Sequence, residues 1–212
     1  IFMPARLFAS ASALDIRTTL PSFENNRQFS GKASIKGGSF GLFNPSFYLA
    51  KQFSNRLAAT VNGEWLSANG KYPYLLRYGN AKGDSTSWEE RKNTDVQNLR
   101  LEGALFGKIS EKSAADIRLY YYRSDRGLPG ATIFYNTDGF SKQRLDENTF
   151  FVQAHYENTL SQLWSIQANA KYHRGYVHYL DPTYLGSEGK LENKYTQKEQ
   201  YGSLAALFKA FQ

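Results

Sequence analysis

The three histidines of the chain, His155, His173 and His178, are the side chains best suited to bind haem or a transition metal. No two of them have the His-x-x-x-His spacing that places a pair of ligands on one metal ion. We therefore expect ordinary polar roles for them, with haem or metal ligation as the alternative. No metal site and no cofactor is predicted.

Acidic residues suggest a second kind of chemistry, calcium binding, in one predicted loop. Asp125, Asp138, Asp146 and Glu147 lie in or beside it, but their spacing matches no known calcium loop, so solvated charge is the expectation. The sequence has no nucleophile elbow, phosphate loop or paired-carboxylate signature, and no Cys. The prediction is therefore that the protein is not an enzyme.

Aromatic and basic residues of the predicted loops are the remaining candidates for binding a ligand. The aromatic rings can stack on a ligand or pack the loops together, and the cations can pair with lipid phosphates or with an anionic ligand. For the rings and for the cations alike, both interpretations stay open. The predicted ligand-binding residues are Tyr72, Tyr74, Tyr78, Trp88, Arg126, Phe134, Tyr135 and His178.

Composition narrows the class of protein. The 212 residues are 16% aromatic and carry a net charge of +7, yet the mean hydropathy is only −0.56. No apolar run reaches the roughly 18 residues of a transmembrane helix. Lys and Arg are scattered rather than clustered in a basic arm, so no nucleic-acid partner is expected. The chain begins Ile-Phe-Met-Pro, without a basic signal-peptide start, which is typical of an internal segment.

Alternation of apolar and polar residues predicts the elements that position these side chains. Apolar residues recur at every second position, the period of a strand with two unlike faces. About eight such segments are visible: Phe29–Lys36, Phe43–Phe53, Leu57–Trp65, Leu99–Leu105, Ala115–Tyr121, Phe150–Tyr156, Trp164–Tyr172 and Tyr201–Gln212.

The connections between these segments alternate between short polar turns and long polar stretches. The long stretches, predicted as loops, cover about 69–94, 125–146 and 177–196, and all lie on the same side of the meander. Short turns on one side and long loops on the other are typical of a transmembrane β-barrel, with aromatic residues at the strand ends. The sequence therefore predicts an all-β antiparallel meander forming part of such a barrel. A soluble β-sandwich or lipocalin-like barrel is the alternative.

Three segments resemble one family of proteins. Ser124–Ala131, reading Ser-Asp-Arg-Gly-Leu-Pro-Gly-Ala after a Tyr-rich strand, is similar to a segment of TonB-dependent outer-membrane receptors of the Bacteroidetes type. The Gly-Ser-Phe-Gly sequence at 38–41 resembles the first barrel hairpin of these receptors. Ala13–Thr19 resembles the end of their plug domain.

The resemblance implies a fragment of a receptor with about 22 strands around a plug. Residues 1–24 would be the end of the plug domain and a linker, and 25–212 the N-terminal portion of the barrel. The resemblance also implies uptake of a siderophore, haem, cobalamin or glycan across the outer membrane of a Gram-negative bacterium. No TonB box and almost no plug occur in the sequence.

The implied partners are outer-membrane lipid and lipopolysaccharide, a small-molecule or glycan ligand, and the TonB motor complex acting through the missing plug. The alternative from another class is a small, complete eight-stranded outer-membrane barrel with a structural or adhesion role.

Overall fold

Ten β-strands make up the regular structure of the chain. The computed structural model describes residues 28–80, 83–132, 142–184, 186 and 189–209. These ranges contain no helix, and hence none that is long and apolar enough to cross a membrane. The strands are β1 (Phe29–Gly38), β2 (Leu42–Ser54), β3 (Leu57–Ala68), β4 (Pro73–Asn80), β5 (Gly83–Glu90), β6 (Val96–Ser110), β7 (Ser113–Leu128), β8 (Gln143–Thr159), β9 (Trp164–Asp181) and β10 (Leu191–Phe208).

Eight of the strands form one antiparallel sheet in the order β1-β2-β3-β6-β7-β8-β9-β10, and β4 and β5 form a separate hairpin. Every neighbour in the large sheet is also the next strand of that sheet along the chain, so the predicted all-β antiparallel meander is confirmed. β1 and β10 are its edge strands. The predicted plug segment 1–24 and the last three residues of the predicted final strand lie outside the described residues.

The register gives the sheet one apolar face and one polar face. Residues paired across antiparallel strands point to the same side, so one chain of pairs identifies one face. A chain of pairs on the apolar face is Gly31, Leu49, Val61, Gly103, Leu119, Val152, Tyr172 and Gln200. A chain on the polar face is Ser34, Ser46, Glu64, Arg100, Tyr122, Thr149, Gly175 and Gln197.

The apolar face is uncovered. Val61 is 45% exposed, Ile117 47% and Leu204 79%. Among the hydrophobic residues that the structure describes, only Ala50 and Leu76 are buried. The sheet is therefore a single layer, and the described residues form no hydrophobic core of the kind that two packed layers enclose.

Apart from the short turn after β1, connections at the two ends of the sheet differ in length, as the sequence predicts. One end carries the turns at 55–56, 111–112 and 160–163, which we call the short-turn end. The other end, the loop end, carries the connections at 39–41, 69–95, 129–142 and 182–190. The 39–41 turn follows the first strand, at the Gly-Ser-Phe-Gly segment.

The predicted loop boundaries were wrong in three places. The stretch 69–94 contains the hairpin β4–β5, whose strands pair from Pro73 with Glu90 to Asn80 with Gly83. β7 and β8 continue through most of the predicted loop 125–146, and β9 and β10 reduce the third predicted loop to 182–190. The extra strand residues are largely polar on both faces, so apolar alternation stops before the backbone pairing does.

Strand length increases from 10 residues in β1 to 18 in β9 and β10, with β3 one residue shorter than β2. A tilted strand needs only about 9–11 residues to cross the hydrocarbon core of a bilayer. Counted from the short-turn end, the eleventh residue is Arg174 in β9 and Lys198 in β10. We call the part of the apolar face below these residues the apolar band.

Candidate functional site

A cleft lies on the polar face, near the loop end. It has a volume of about 230 Å³ and is bounded by side chains of β8, β9 and β10. Gly175 lies in its floor, where an added Cβ would meet the His173 ring at 3.4 Å. We call this the polar-face cleft, and its other polar-face residues are Glu147, Thr149, His173, Val177, Tyr195 and Gln197.

An ion pair borders the polar-face cleft. Nη2 of Arg126 lies 2.9 Å from Oε2 of Glu147, and their side chains are 36% and 28% exposed. Partial burial strengthens such a pair relative to a fully solvated one. The pair holds one cation and one anion at the edge of the cleft, where both can bind a polar ligand.

Three buried polar atoms on the loop-end half of the polar face make no hydrogen bond to any described residue. Ser124 is completely buried, and its Oγ is one of them. The other two are Oδ1 of Asn98, which pairs with Ser124 in the register, and Nδ1 of His173. Buried polar atoms without partners carry a desolvation cost of about 1–3 kcal/mol.

A ladder of polar side chains crosses β2, β3 and β6 on the polar face. Nδ2 of Asn44 donates to Oε1 of Glu64 at 3.1 Å, and Nη2 of Arg100 donates to Oε2 of the same carboxylate. Nε of Arg100 lies 3.6 Å from Glu102, which also accepts from Nδ2 of Asn62 at 3.3 Å. The register aligns these side chains across three strands, so they form a connected hydrophilic surface.

A second ladder crosses β8, β9 and β10 closer to the short-turn end. Nδ1 of His155 lies 2.8 Å from Oδ1 of Asn169, and Nδ2 of Asn169 donates to Oγ of Ser203 at 3.2 Å. His155, Asn169 and Ser203 are thus linked by hydrogen bonds across three neighbouring strands of the polar face.

Two of the predicted ligand-binding residues come together beside the first turn. The Tyr72 ring contacts Phe40 edge-on with a centroid distance of 5.7 Å and Tyr74 at 6.5 Å. Tyr78 and Trp88 lie on the hairpin β4–β5, where Trp88 pairs with Leu75 and is 73% exposed. Tyr72 and Tyr74 therefore pack aromatic rings together, whereas Trp88 presents its ring to the surroundings.

Arg126 and His178 do not belong to one site, because they lie on opposite faces of the sheet. Arg126 faces the polar-face cleft, whereas His178 shares the apolar side with Lys194, its partner in the register. Nε2 of His178 lies 2.9 Å from Oε1 of Glu192. Phe134 and Tyr135 lie outside the described residues.

The acidic residues considered for calcium are neutralised by arginines or separated by the sheet. Arg144 donates to Asp125, and Arg123 lies 3.7 Å from Asp146. Glu147 is on the other face, and Asp138 lies outside the described residues. In the part of the chain that the structure describes, no three His, Asp or Glu residues are grouped so as to hold a metal ion.

A cluster at the loop end was not visible in the sequence. Nδ2 of Asn93 donates to the carbonyl oxygens of Leu128 and Gln143 at 3.0 and 2.8 Å. Asn93 has a φ of 57°, and its oxygens lie so close to Gly127 that any side chain there would collide with them. This contact ties the end of the hairpin connection to β7 and β8. The Asn93-Thr94-Asp95 turn sequence is the one local signal that points to it.

Comparison with known proteins adds no family to this geometry. No protein-family model matches the chain, and no curated protein is significantly similar to it. The two faces of the sheet and the polar-face cleft are therefore the features that bear on function.

Proposed function

We propose that this chain is part of the wall of a transmembrane β-barrel in the outer membrane of a Gram-negative bacterium. The observation that carries the proposal is the continuous apolar face, uncovered across eight strands in register. In the barrel, lipid covers that face and the polar face lines the lumen. This arrangement removes the need for a second layer of protein.

The exposed area argues against a soluble domain. Soluble monomers seldom expose a contiguous apolar patch larger than a few hundred Å², and a sheet normally buries its apolar face against another layer. Among the described residues, the only other element is the two-stranded hairpin β4–β5, which is separate from the sheet. In a membrane, contact with lipid acyl chains removes the apolar face of every strand from water.

Within this class, we assign the chain to a TonB-dependent receptor that takes up a scarce, bulky nutrient. Support comes from the Ser124–Ala131 segment, which lies where β7 leaves the apolar band and opens a loop at Pro129. The candidate cargo is a siderophore, haem, cobalamin or glycan. The polar-face cleft, with the Arg126–Glu147 pair beside it, offers donors and acceptors to such a cargo or to a plug domain in the lumen.

In this role the chain contributes wall, lumen lining and capture loops rather than chemistry. The aromatic rings of Tyr72 and Trp88 stand on the loop-end connections, where a cargo first arrives. The ladders around Glu64 and Asn169 keep the lumen hydrophilic. Motion of the plug, driven by the TonB motor complex in the inner membrane, then opens a path along this surface.

The second candidate is a complete eight-stranded barrel with a structural or adhesion role. The strand count favours it, because eight strands form the smallest common membrane barrel. Closure of that barrel requires β1 to pair with β10, and the described residues of these two strands make no contact with each other. We therefore rank this candidate second.

The mass of the native polypeptide separates the two candidates. A receptor predicts a polypeptide far larger than 24.1 kDa in the outer-membrane fraction, and uptake of its cargo that stops when the proton-motive force is dissipated. A native chain of about 24 kDa with heat-modifiable gel mobility would overturn the receptor assignment. A protein that stays monodisperse without detergent would overturn both membrane candidates.

A further inference from the structure

Two cations face each other directly at the upper edge of the apolar band. Arg174 in β9 pairs with Lys198 in β10, and Arg174 also pairs with Phe150 in β8. Both cationic residues are exposed. Like charges directly opposite each other on one face of a sheet destabilise it. An anion between them would turn that repulsion into attraction.

Most other charged groups on this side of the sheet are paired with an opposite charge; Lys51, near the short-turn end of β2, instead places its Nζ over the Phe53 ring. Arg144 binds Asp95 and Asp125, and Arg123 lies beside Asp146. Lys190, Lys194 and His178 surround Glu192. By contrast, no carboxylate among the described residues lies within 4 Å of Arg174 or Lys198. Arg174 and Lys198 are therefore two adjacent cations on this face whose charges no neighbouring carboxylate balances.

An apolar depression begins one register row below the pair. It has a volume of about 330 Å³, and its lining on the apolar face is Val152, Ala154, Ala170, Tyr172 and Gln200. Val152, Tyr172 and Gln200 form the row next to Phe150, Arg174 and Lys198. Consecutive rows on one face are about 7 Å apart. A cationic pair thus stands directly above an apolar hollow that runs into the band.

We propose that this surface binds a phosphate-bearing lipid of the outer leaflet. The phosphate lies between the Arg174 guanidinium and the Lys198 ammonium, and the acyl chain fills the depression over Ala154 and Ala170. Arg and Lys are the side chains suited to phosphate, and the position of the pair matches the level of the headgroups. The proposal rests on the barrel assignment above and names the lipid that this part of the wall selects.

The test measures lipid retention by the native polypeptide that carries this chain. The protein is reconstituted in nanodiscs of phosphatidylcholine containing a tenth of either lipid A or a dephosphorylated lipid A, and bound lipid is counted by native mass spectrometry. R174Q/K198Q is compared with K32Q/K36Q, which removes two charges from the polar face of β1. We expect wild type and K32Q/K36Q to retain lipid A at least fivefold more than R174Q/K198Q.

A competition experiment separates a lipid site from a general phosphate site. Millimolar inorganic phosphate should leave lipid A bound, because the acyl chain contributes to binding in the depression. Displacement by inorganic phosphate alone would overturn the lipid assignment. Equal retention by R174Q/K198Q and wild type in properly inserted protein would overturn the site while leaving the barrel assignment intact. Protein that fails to insert in any nanodisc would overturn both.

Discussion

The guanidinium of Arg144 binds Asp95 with Nη1 at 2.8 Å from both carboxylate oxygens, and its Nη2 donates to Asp125. One side chain of β8 thereby holds the residue that precedes β6 and a residue of β7. Together with Asn93, it fixes the point at which the first long connection returns to the sheet. The loop end is held by these specific polar contacts rather than by a hydrophobic core.

Replacing Arg144 by Ala should loosen the loop end without unfolding the sheet. The Arg144 side chain is 36% exposed, so we expect a loss of only about 1 kcal/mol or less in the free energy of unfolding. Amide hydrogen exchange at 91–95 and 125–128 should speed up while the strands near the short-turn end stay protected. Lys142→Ala removes an exposed neighbouring cation and should change neither the free energy of unfolding nor the hydrogen exchange. Equal effects of the two variants would show that Arg144 does not hold the loop end.

Arginine at adjacent positions of β9 should have opposite consequences for the two faces. Ala168 lies on the apolar face opposite Tyr156 and Leu204, and Gln167 lies on the polar face opposite Glu157. If the sheet is the proposed barrel wall, Ala168→Arg near the bilayer midplane should destabilise it by about 2–4 kcal/mol. Gln167→Arg, at nearly the same depth, should be close to neutral. Urea unfolding in lipid vesicles measures both, and equal losses would contradict the assignment of the faces.

A side chain at Gly63 should collide with an aromatic ring. The Phe47 ring, which is paired with Gly63 across β2 and β3, occupies the space that a Cβ would take. Gly63→Ala should therefore push the half-exposed ring out of its rotamer and cost about 0.5–1.5 kcal/mol. Gly202→Ala is the matched control, since nothing lies within 4 Å of a Cβ there and the change should be neutral or slightly stabilising. Thermal unfolding in detergent compares the two; a tolerated Gly63→Ala would show that the ring is not fixed.

Glu192 should titrate far below an ordinary glutamate. Hydrogen bonds from Lys194, Lys190 and His178 lower its pKa from 4.5 to about 2, in a segment beyond the apolar band. Because the folded-state pKa is the lower one, the stabilisation is present above about pH 4.5 and is lost as the pH falls towards 2. The carboxyl carbon shift in NMR spectra measures this midpoint.

The controls for Glu192 are substitution and salt. Lys194→Gln should move the midpoint back towards 4.5, and 1 M salt should do so in part because the site is solvated. A wild-type midpoint near 4.5 would show that the cluster does not form in solution.

Much of the sheet was predictable because the alternation of residues such as Phe150, Val152 and Ala154 reports directly on a two-faced strand. The hairpin β4–β5 was missed because the Gly and Asn residues around it are typical of loops and conceal the short pattern from Tyr74 to Tyr78. The contacts of Arg144 with Asp95 and Asp125 could not be predicted, since they depend on which residues the register places opposite one another. For the same reason, the sequence predicted Arg126 and His178 as parts of one ligand-binding set, although they lie on opposite faces. A shift of one residue in register is enough to move a side chain from one face to the other.

The strand order also bears on how the sheet assembles. Six of the seven pairings join strands linked by a turn or single loop, and only β3 with β6 has other strands between them. Closing a long connection costs chain entropy before any new contact compensates for it. Assembly can therefore begin as separate hairpins, with the joining of β3 to β6 as the slow step. The contacts of Asn93 and Arg144 lie where the returning chain enters β6, so weakening them should slow folding at this step more than at any other pairing.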